Sequence, residues 1–357
     1  MPIVAHSSLP TFDELRRSGE HLLPLEEALS QDLRELHIGL LNMMPDAALR
    51  VTEQQYMRLL GSANQIVQIY VHPFTVPGLE RAPDVQAYID SHYESFDVLR
   101  EEGLDGLIVS GANVANPSLD MEPFWDPLAE IIEWASEHVT SVLCSCLATH
   151  ALVQLLHDVH RRPLLDKRWG VFEHRVTGVD HPLLYGTNTR FDVPHSRWNE
   201  ITSAQLSRVG VRVLVESVEG DFHLGTSDDG IRRVYLQGHP EYDVNSLLKE
   251  YKREVARHLA GDLSALPPLP ARYLPPAAAR IARAHVEEAV EARERGDAIP
   301  EFPEGEIRPL LDNTWTDTGA ALFNNWLGLI YRLTDIERGV PFKPTVDPDD
   351  PLRLKER

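Results

Sequence analysis

Along the chain, short continuous apolar runs alternate with stretches whose apolar residues recur at helical spacing. ELHIGLLNMM reads as a buried strand, TEQQYMRLLGSA sets Tyr56, Leu59 and Leu60 on one helical face, and NQIVQIYVHPF is again β-rich. The alternation continues with a helix in PDVQAYIDSHYESF, a strand in GLDGLIVSGAN, a helix in FWDPLAEIIEWASEH, and the strand TSVLCS feeding the helix CLATHALVQLLHDV. Strands that are apolar throughout need cover on both faces, so the pattern predicts an α/β fold with a mostly parallel central sheet flanked by helices. Ligands of such sheets bind beyond the carboxyl ends of the strands, where Cys146 and the Ser110-Gly111-Ala112-Asn113 turn fall.

From about residue 171 the signal turns β-rich, in GVFEHRVTG, TRFDVPHSRW, VRVLVESVEGDFHLGTS and IRRVYLQGHPEY, before SLLKEYKREVARHLA resumes a helix. The expected organisation is an N-terminal arm over 1–31, extended with one short helix, and a catalytic domain over 32–262. A Pro-rich and charged helical insertion over 263–310 follows, read as exposed because its helix is mostly charged. A C-terminal segment, 311–338, brings the amphipathic ALFNNWLGLIYRLT back to the core, and 339–357 reads as a loose tail.

At 357 residues and 43% hydrophobic, the chain can bury a sizeable core. Its two cysteines, one residue apart, cannot close a useful disulfide loop, and no Cys-x-x-Cys pair is present, which points to a reducing compartment, the cytoplasm. The N-terminus lacks the features of a secretion signal, and no window has the ~18 apolar residues of a membrane helix. A formal charge of -21 repels phosphate backbones and anionic lipid, so neither nucleic acid nor membrane is an expected partner; an anionic substrate would need a local basic pocket. The histidines are scattered without ligand spacing, so no metal is implied.

Two places are chemically dense. At Cys146 a strand stops and a helix starts, and the helix N-terminus turns unsatisfied N–H groups and a positive dipole end toward the sulfur. Local pattern leaves two readings open: a small core residue, or a nucleophile at the tip of the turn. Cys144, inside the strand, reads as core. In QGHPEYD, His239 and Glu241 stand two apart across Pro240; on an extended segment they project to the same side, as a base and the carboxylate that orients it require. An elbow cysteine preceding a His-x-Glu is the order found in α/β enzymes of the class I glutamine amidotransferase type.

The chain resembles the homoserine O-succinyltransferase family, the trans-acylases that open methionine biosynthesis, from Ile38 to about Thr334. The strings that carry the resemblance are IGLLNMMP, RLL, DGLIVSGA, EWASEHVTS, the Cys146 elbow, KRWGVFEH, PHSRW, GHPEYD and ALFNNWL. The resemblance implies an amidotransferase-like fold, with β-rich additions and a C-terminal helical part, and a ping-pong acyl transfer. Cys146, activated by His239 with Glu241 behind it, would take the acyl group of an acyl-CoA and pass it to the homoserine hydroxyl; the Leu147 N–H would be one oxyanion donor. Lys167 and Ser196 lie where the family contacts acyl donor or acceptor, and Arg253 where it binds the amino acid carboxylate, with Arg197 assisting; taken alone, each reads as a structural ion pair. Glu173, His174 and His195 would brace the site.

The chain also departs from the family pattern. After Met43-Met44-Pro45 the family carries lysines that help the oxyanion hole and bind acyl-CoA; here the segment is Asp46-Ala47-Ala48-Leu49-Arg50, with Arg50 a candidate substitute. Ala115 stands where Glu accompanies acetyl and Gly accompanies succinyl transfer, and its lack of a repelling carboxylate leans toward succinyl. The expected function is therefore homoserine O-acylation, succinyl-CoA preferred. Alternatives are homoserine O-acetyltransferase or serine O-acyltransferase with the same triad, and, less favoured without a second catalytic domain, a glutamine amidotransferase-like hydrolase. No bound cofactor is expected, acyl-CoA is a co-substrate, and the family expectation is a homodimer.

Overall fold

A computed structural model describes residues 3–63 and 67–356. Met1, Pro2, Arg357 and the Asn64-Gln65-Ile66 start of the expected second strand lie outside the described residues. Strands β1 (Val4–Ala5) and β2 (Leu23–Pro24) pair in parallel around helix α1 (Pro10–Arg17), and α2 (Leu25–Leu29) follows. The alternating region is β3 (Glu35–Leu41), α3 (Asp46–Ala63), β4 (Gln68–Phe74), α4 (Pro83–His92), α5 (Phe96–Glu102), β5 (Gly106–Val109), α6 (Trp125–His138), β6 (Ser141–Ser145) and α7 (Leu147–His157). Then come β7 (Arg162–Val176), β8 (Arg190–Glu200), α8 (Ser203–Ser207), β9 (Arg212–Ser217), β10 (Phe222–Thr226), β11 (Arg233–Leu236), α9 (Ser246–Ala260), α10 (Pro276–Arg295), α11 (Glu304–Ile307) and α12 (Thr316–Leu333).

A nine-stranded sheet takes the order β4-β3-β5-β6-β11-β10-β9-β7-β8. Strands β4 to β11 in that order are parallel, and the remaining four extend the sheet antiparallel, as the change from apolar runs to turn-punctuated β segments predicts. Each face has its own core. One gathers Tyr56, Leu60, Phe323, Trp326 and Ile330 of α3 and α12 against Ile38 and Leu143; the other gathers Ile131, Trp134, Leu152 and Val153 of α6 and α7 against Leu107 and Val142. Gly106 lets α12 approach the sheet: a Cβ there would stand 2.8 Å from Ile330 and 3.3 Å from Trp326, an overpacking that costs about 1–3 kcal/mol.

Three peripheral expectations are corrected. The first thirty residues are not an extended arm, because Ile3, Leu9, Phe12 and Leu15 are buried against α3 and β4. The helix of the 263–310 segment is not exposed all round. Ala278, Ala282, Val286 and Ala289 of α10 face a third core with Tyr251 and Trp169, while its charges take the outer side. That segment is also tied to the sheet: Ala271 N–H donates to Trp169 O at 2.8 Å and Val171 N–H to Ala271 O at 2.9 Å. Gly170, at φ 143°, is required because a Cβ would meet the Ala271 backbone. The tail is not loose either, since Phe342 and Leu352 are buried and Lys343 N–H donates to Leu333 O at 2.9 Å.

Candidate active site

The strand-to-helix turn after β6 is strained. Cys146 sits at φ 51°, ψ −110°, which L-residues avoid at a cost of about 1–3 kcal/mol. Its surroundings hold it there. Cys146 N–H donates to Leu236 O at 2.8 Å, and the Thr149 hydroxyl bonds both Cys144 O at 2.9 Å and Leu236 O at 2.7 Å. The strain lifts Sγ out of the sheet at the N-terminus of α7, where Leu147 begins the first helical turn with N–H groups that have no intrahelical acceptor. Cys144 is fully buried, and burial pushes its thiol up.

Adjacent β11 ends at Leu236; after Gln237-Gly238 comes His239, anchored by its N–H to Pro194 O at 2.9 Å. His239 Nδ1 lies 2.7 Å from Glu241 Oε1, and the ring lies in the field of the Cys146 sulfur. The pair meets through a turn rather than along an extended segment: Tyr242 N–H returns to His239 O at 3.2 Å, folding Glu241 back under the ring. Burial opposes the imidazolium, but the Glu241 carboxylate and the Cys146 sulfur outweigh it and raise His239 well above its ordinary value. The ring of Tyr242 stacks on His239 at 4.3 Å.

A second group assembles on α9, β7 and β8. Lys167, Ser196 and Arg253 come together around Glu250, a residue the sequence reading missed. Ser196 Oγ donates to its two oxygens at 3.0 and 2.9 Å and Trp169 Nε1 at 2.6 Å, with Lys167 Nζ at 3.7 Å and Arg253 Nη2 at 4.0 Å. The available signal was spacing: Glu250 precedes Arg253 by three residues and shares its helical face. Lys167 lies over the Trp169 ring at 4.3 Å, and burial, opposed by Glu250, lowers its ammonium. Tyr242 lies in the field of Glu250 as well as of Glu241, so the two groups adjoin.

Arg197 is not in that group. Strand alternation turns it to the opposite face from Ser196, where it is buried, donates to Asn199 O at 3.0 Å and pairs with Asp221 at 3.3 Å. On the same face His174 Nδ1 meets Phe172 O at 2.9 Å and His174 Nε2 meets His195 Nε2 at 3.3 Å, while Glu173, on the opposite face, pairs with Arg190 at 3.5 Å. Ala115 lies in the loop after β5, the strand beside β6; its N–H and that of Asn116 donate to Glu122 Oε1 at 2.8 and 2.6 Å.

Arg50, in the second turn of α3, is engaged by Glu14 and over the Tyr88 ring. Arg81, also missed, stands against the loop between β3 and α3. Its nearly buried guanidinium donates from Nη1 to Met44 O at 2.6 Å and to Asp46 at 3.1 Å, and Nε and Nη2 find no partner. Behind the triad, Tyr56 Oη, Ser145 Oγ and Glu241 Oε2 are likewise buried without partners, the tyrosine hydroxyl beside Ser145 and in the field of Glu241.

A family model described as homoserine O-succinyltransferase matches residues 2–336. The chain is 55% identical over 352 residues to a homoserine O-succinyltransferase of Thioalkalivibrio nitratireducens, covering 99% of each chain. To that of Methylobacter tundripaludum it is 54% identical over 354 residues, 99% of this chain and 100% of the other. Among solved structures, a glutamine amidotransferase from Methylobacillus flagellatus overlaps with a TM-score of 0.46 at 14% identity, over 83% of this chain and 95% of that one.

Proposed function

Because the chain belongs to the homoserine O-succinyltransferase family, we propose that it moves the succinyl group of succinyl-CoA onto the homoserine hydroxyl through an acyl-thioester on Cys146. The observation that carries the mechanism is the buried contact of His239 with Glu241 at 2.7 Å, on a ring that lies in the field of the elbow cysteine. With the shared proton resting on His239, the sulfur is a thiolate that attacks the thioester carbonyl. The carbon–sulfur bond to CoA breaks, and His239 gives its proton to the departing CoA thiolate. His239, now neutral, takes the proton of the homoserine hydroxyl as its oxygen attacks the acyl-enzyme; an ester forms and Cys146 leaves as thiolate with His239 again protonated. The Leu147 N–H stabilises the oxyanion in both halves.

Homoserine is a zwitterion, so its site needs a cation and an anion. Arg253 offers the carboxylate a planar fork, Glu250 accepts the ammonium, and Lys167 and Ser196 hold Glu250 in orientation. Arg81, beside Met44 and Asp46, supplies the positive charge that the absent lysines would have given, and Ala115 leaves room for the succinyl carboxylate. Both cysteines are free thiols, and among the described residues no helix is long and apolar enough to cross a membrane; a cytoplasmic setting suits the thiol chemistry. A homodimer rests on the family alone, because the apolar face of α12 packs into its own core.

The test is CoA release by purified protein with succinyl-CoA or acetyl-CoA against homoserine or serine. Fastest release with succinyl-CoA and homoserine, abolished by Cys146→Ala, is the expected result. Preference for acetyl-CoA or serine would overturn the specificity, and activity surviving in the variant would overturn the thiol mechanism.

A further inference from the structure

At the β4 edge of the sheet, four residues distant in sequence form a chain of ring and carboxylate contacts. His37 Nδ1 and His72 Nε2 are 2.9 Å apart, His37 Nε2 is 3.0 Å from Glu35 Oε1, and His72 Nδ1 is 2.7 Å from Glu94 Oε1. Arg338 fixes where the protons go. A guanidinium can only donate, and its Nη1 reaches His37 Nδ1 at 3.2 Å, so that nitrogen carries a lone pair and the His37 proton lies on Nε2, toward Glu35. His72 must then donate from Nε2 to His37. A neutral His72 is left with a bare Nδ1 facing a carboxylate oxygen at 2.7 Å, two acceptors that need a cation in common.

His6 brings a third lone pair to the same place. Its Nδ1 lies 3.1 Å from Val4 O, a carbonyl that can only accept, so the proton is on Nδ1 and Nε2 is bare. The His6 and His72 rings are 5.0 Å apart, and His6, His72 and Glu94 each offer one ligand atom, all within 4.8 Å of one another. We propose that His6 Nε2, His72 Nδ1 and the Glu94 carboxylate bind a divalent transition metal of the zinc class, with the fourth position open to water.

Two nitrogens and one oxygen are a donor set such metals take, and each histidine has the outer hydrogen bond that fixes a metal ligand's tautomer, to Val4 O and to His37. Metal bonds of about 2.0–2.2 Å put tetrahedral ligand atoms roughly 3.3 Å apart, so the His72–Glu94 contact opens slightly and the His6 ring turns inward. The bound ion would clasp the N-terminal segment to β4 and to the residues just before α5.

The experiment is a zinc titration of chelator-stripped Cys146→Ala protein, in which the active thiol does not compete, read by calorimetry and by melting temperature, with cobalt absorption as a second readout. One equivalent bound, a rise in melting temperature, and at least tenfold weaker binding in His6→Ala and Glu94→Gln are expected. In the Cys146-containing protein, His6→Ala leaves CoA release unchanged. Absence of stoichiometric binding overturns the site, as it would where His72 is simply protonated. Binding that survives both substitutions overturns it as well, and cobalt spectra without the nitrogen ligand field do so even for a variant that folds poorly.

Discussion

At the elbow, Cys146 is held at φ 51°, and His239 and Glu241, both buried, meet at 2.7 Å. Beside Tyr242, Lys167, Ser196 and Arg253 gather on Glu250, with Arg253 half exposed, 4.0 Å from Glu250 and 3.4 Å from Glu254. The first region stores backbone strain and buries His239 and Glu241, so each side chain is held in one geometry. The second is a set of charges that satisfy each other loosely and can exchange partners for those of a substrate. The proposed mechanism thus puts reaction chemistry where the fold is most determined, and acceptor recognition where it is least.

The sharpest way to break this comparison is at the two cysteines. Cys146→Ala should lower kcat by at least about 10³-fold with little change in melting temperature, because the substitution removes the proposed nucleophile while the Cβ and the backbone strain stay as they were. Cys144→Ala should do the reverse, keeping kcat and costing about 1 kcal/mol of stability in urea unfolding, since it removes only a buried sulfur. Equal losses from both would show that the elbow is not chemically distinct from its strand.

Glu241→Gln probes the next largest effect. Burial lowers His239 and Glu241 raises it, so removing the carboxylate lets burial win and the imidazolium gives up its proton at lower pH. The expected outcome is a roughly 10–100-fold fall in kcat/KM for succinyl-CoA, with the alkaline limb of its pH profile moved to lower pH. Stability follows the same sign. A histidine raised on folding stabilises fully below its unfolded value and loses that contribution as pH rises through its folded value, so the variant should lack this alkaline loss. An unmoved alkaline limb would remove Glu241 from the proton relay. Across Tyr242, Glu250→Gln should instead raise KM for homoserine about tenfold and leave KM for succinyl-CoA unchanged, in steady-state kinetics varying one substrate at a time. A uniform loss in both would make Glu250 a packing residue.

What could be read in advance follows the range of the interactions. The strand–helix alternation and the elbow are local: ELHIGLL, GLIV and SVLCS are strands because they are apolar throughout, and the helix begins where the polar Ser145-Cys146 interrupts. The spacing of His239 and Glu241 was legible, whereas the turn that joins them needed Pro194 from another strand. Arg81 was invisible because it has meaning only through a tertiary partner, Met44, while Glu250 and Tyr56 showed their helical spacing but not their surroundings, Ser196 for the one and the field of Glu241 for the other. The ends of the chain were misread for a related reason. Ile3, Phe342 and Leu352 obey no short period, yet each fills a gap in a core whose walls come from elsewhere.

Tyr56→Phe gives the smallest expected effect and tests how far the determined region extends. The ring belongs to the core between α3 and α12, 6.4 Å from Phe323, and phenylalanine preserves that packing. The hydroxyl is the part in question: it is buried beside Ser145 Oγ and in the field of Glu241, whose Oε2 also lacks a partner. A buried hydroxyl without a full hydrogen bond costs about 1–3 kcal/mol, so its removal should leave the melting temperature unchanged or higher. If its dipole steadies Glu241, kcat/KM for succinyl-CoA falls about two- to fivefold and the alkaline limb shifts in the same direction as in Glu241→Gln, by less. A lower melting temperature with unchanged kinetics would make the hydroxyl a structural group and end the determined region at Glu241.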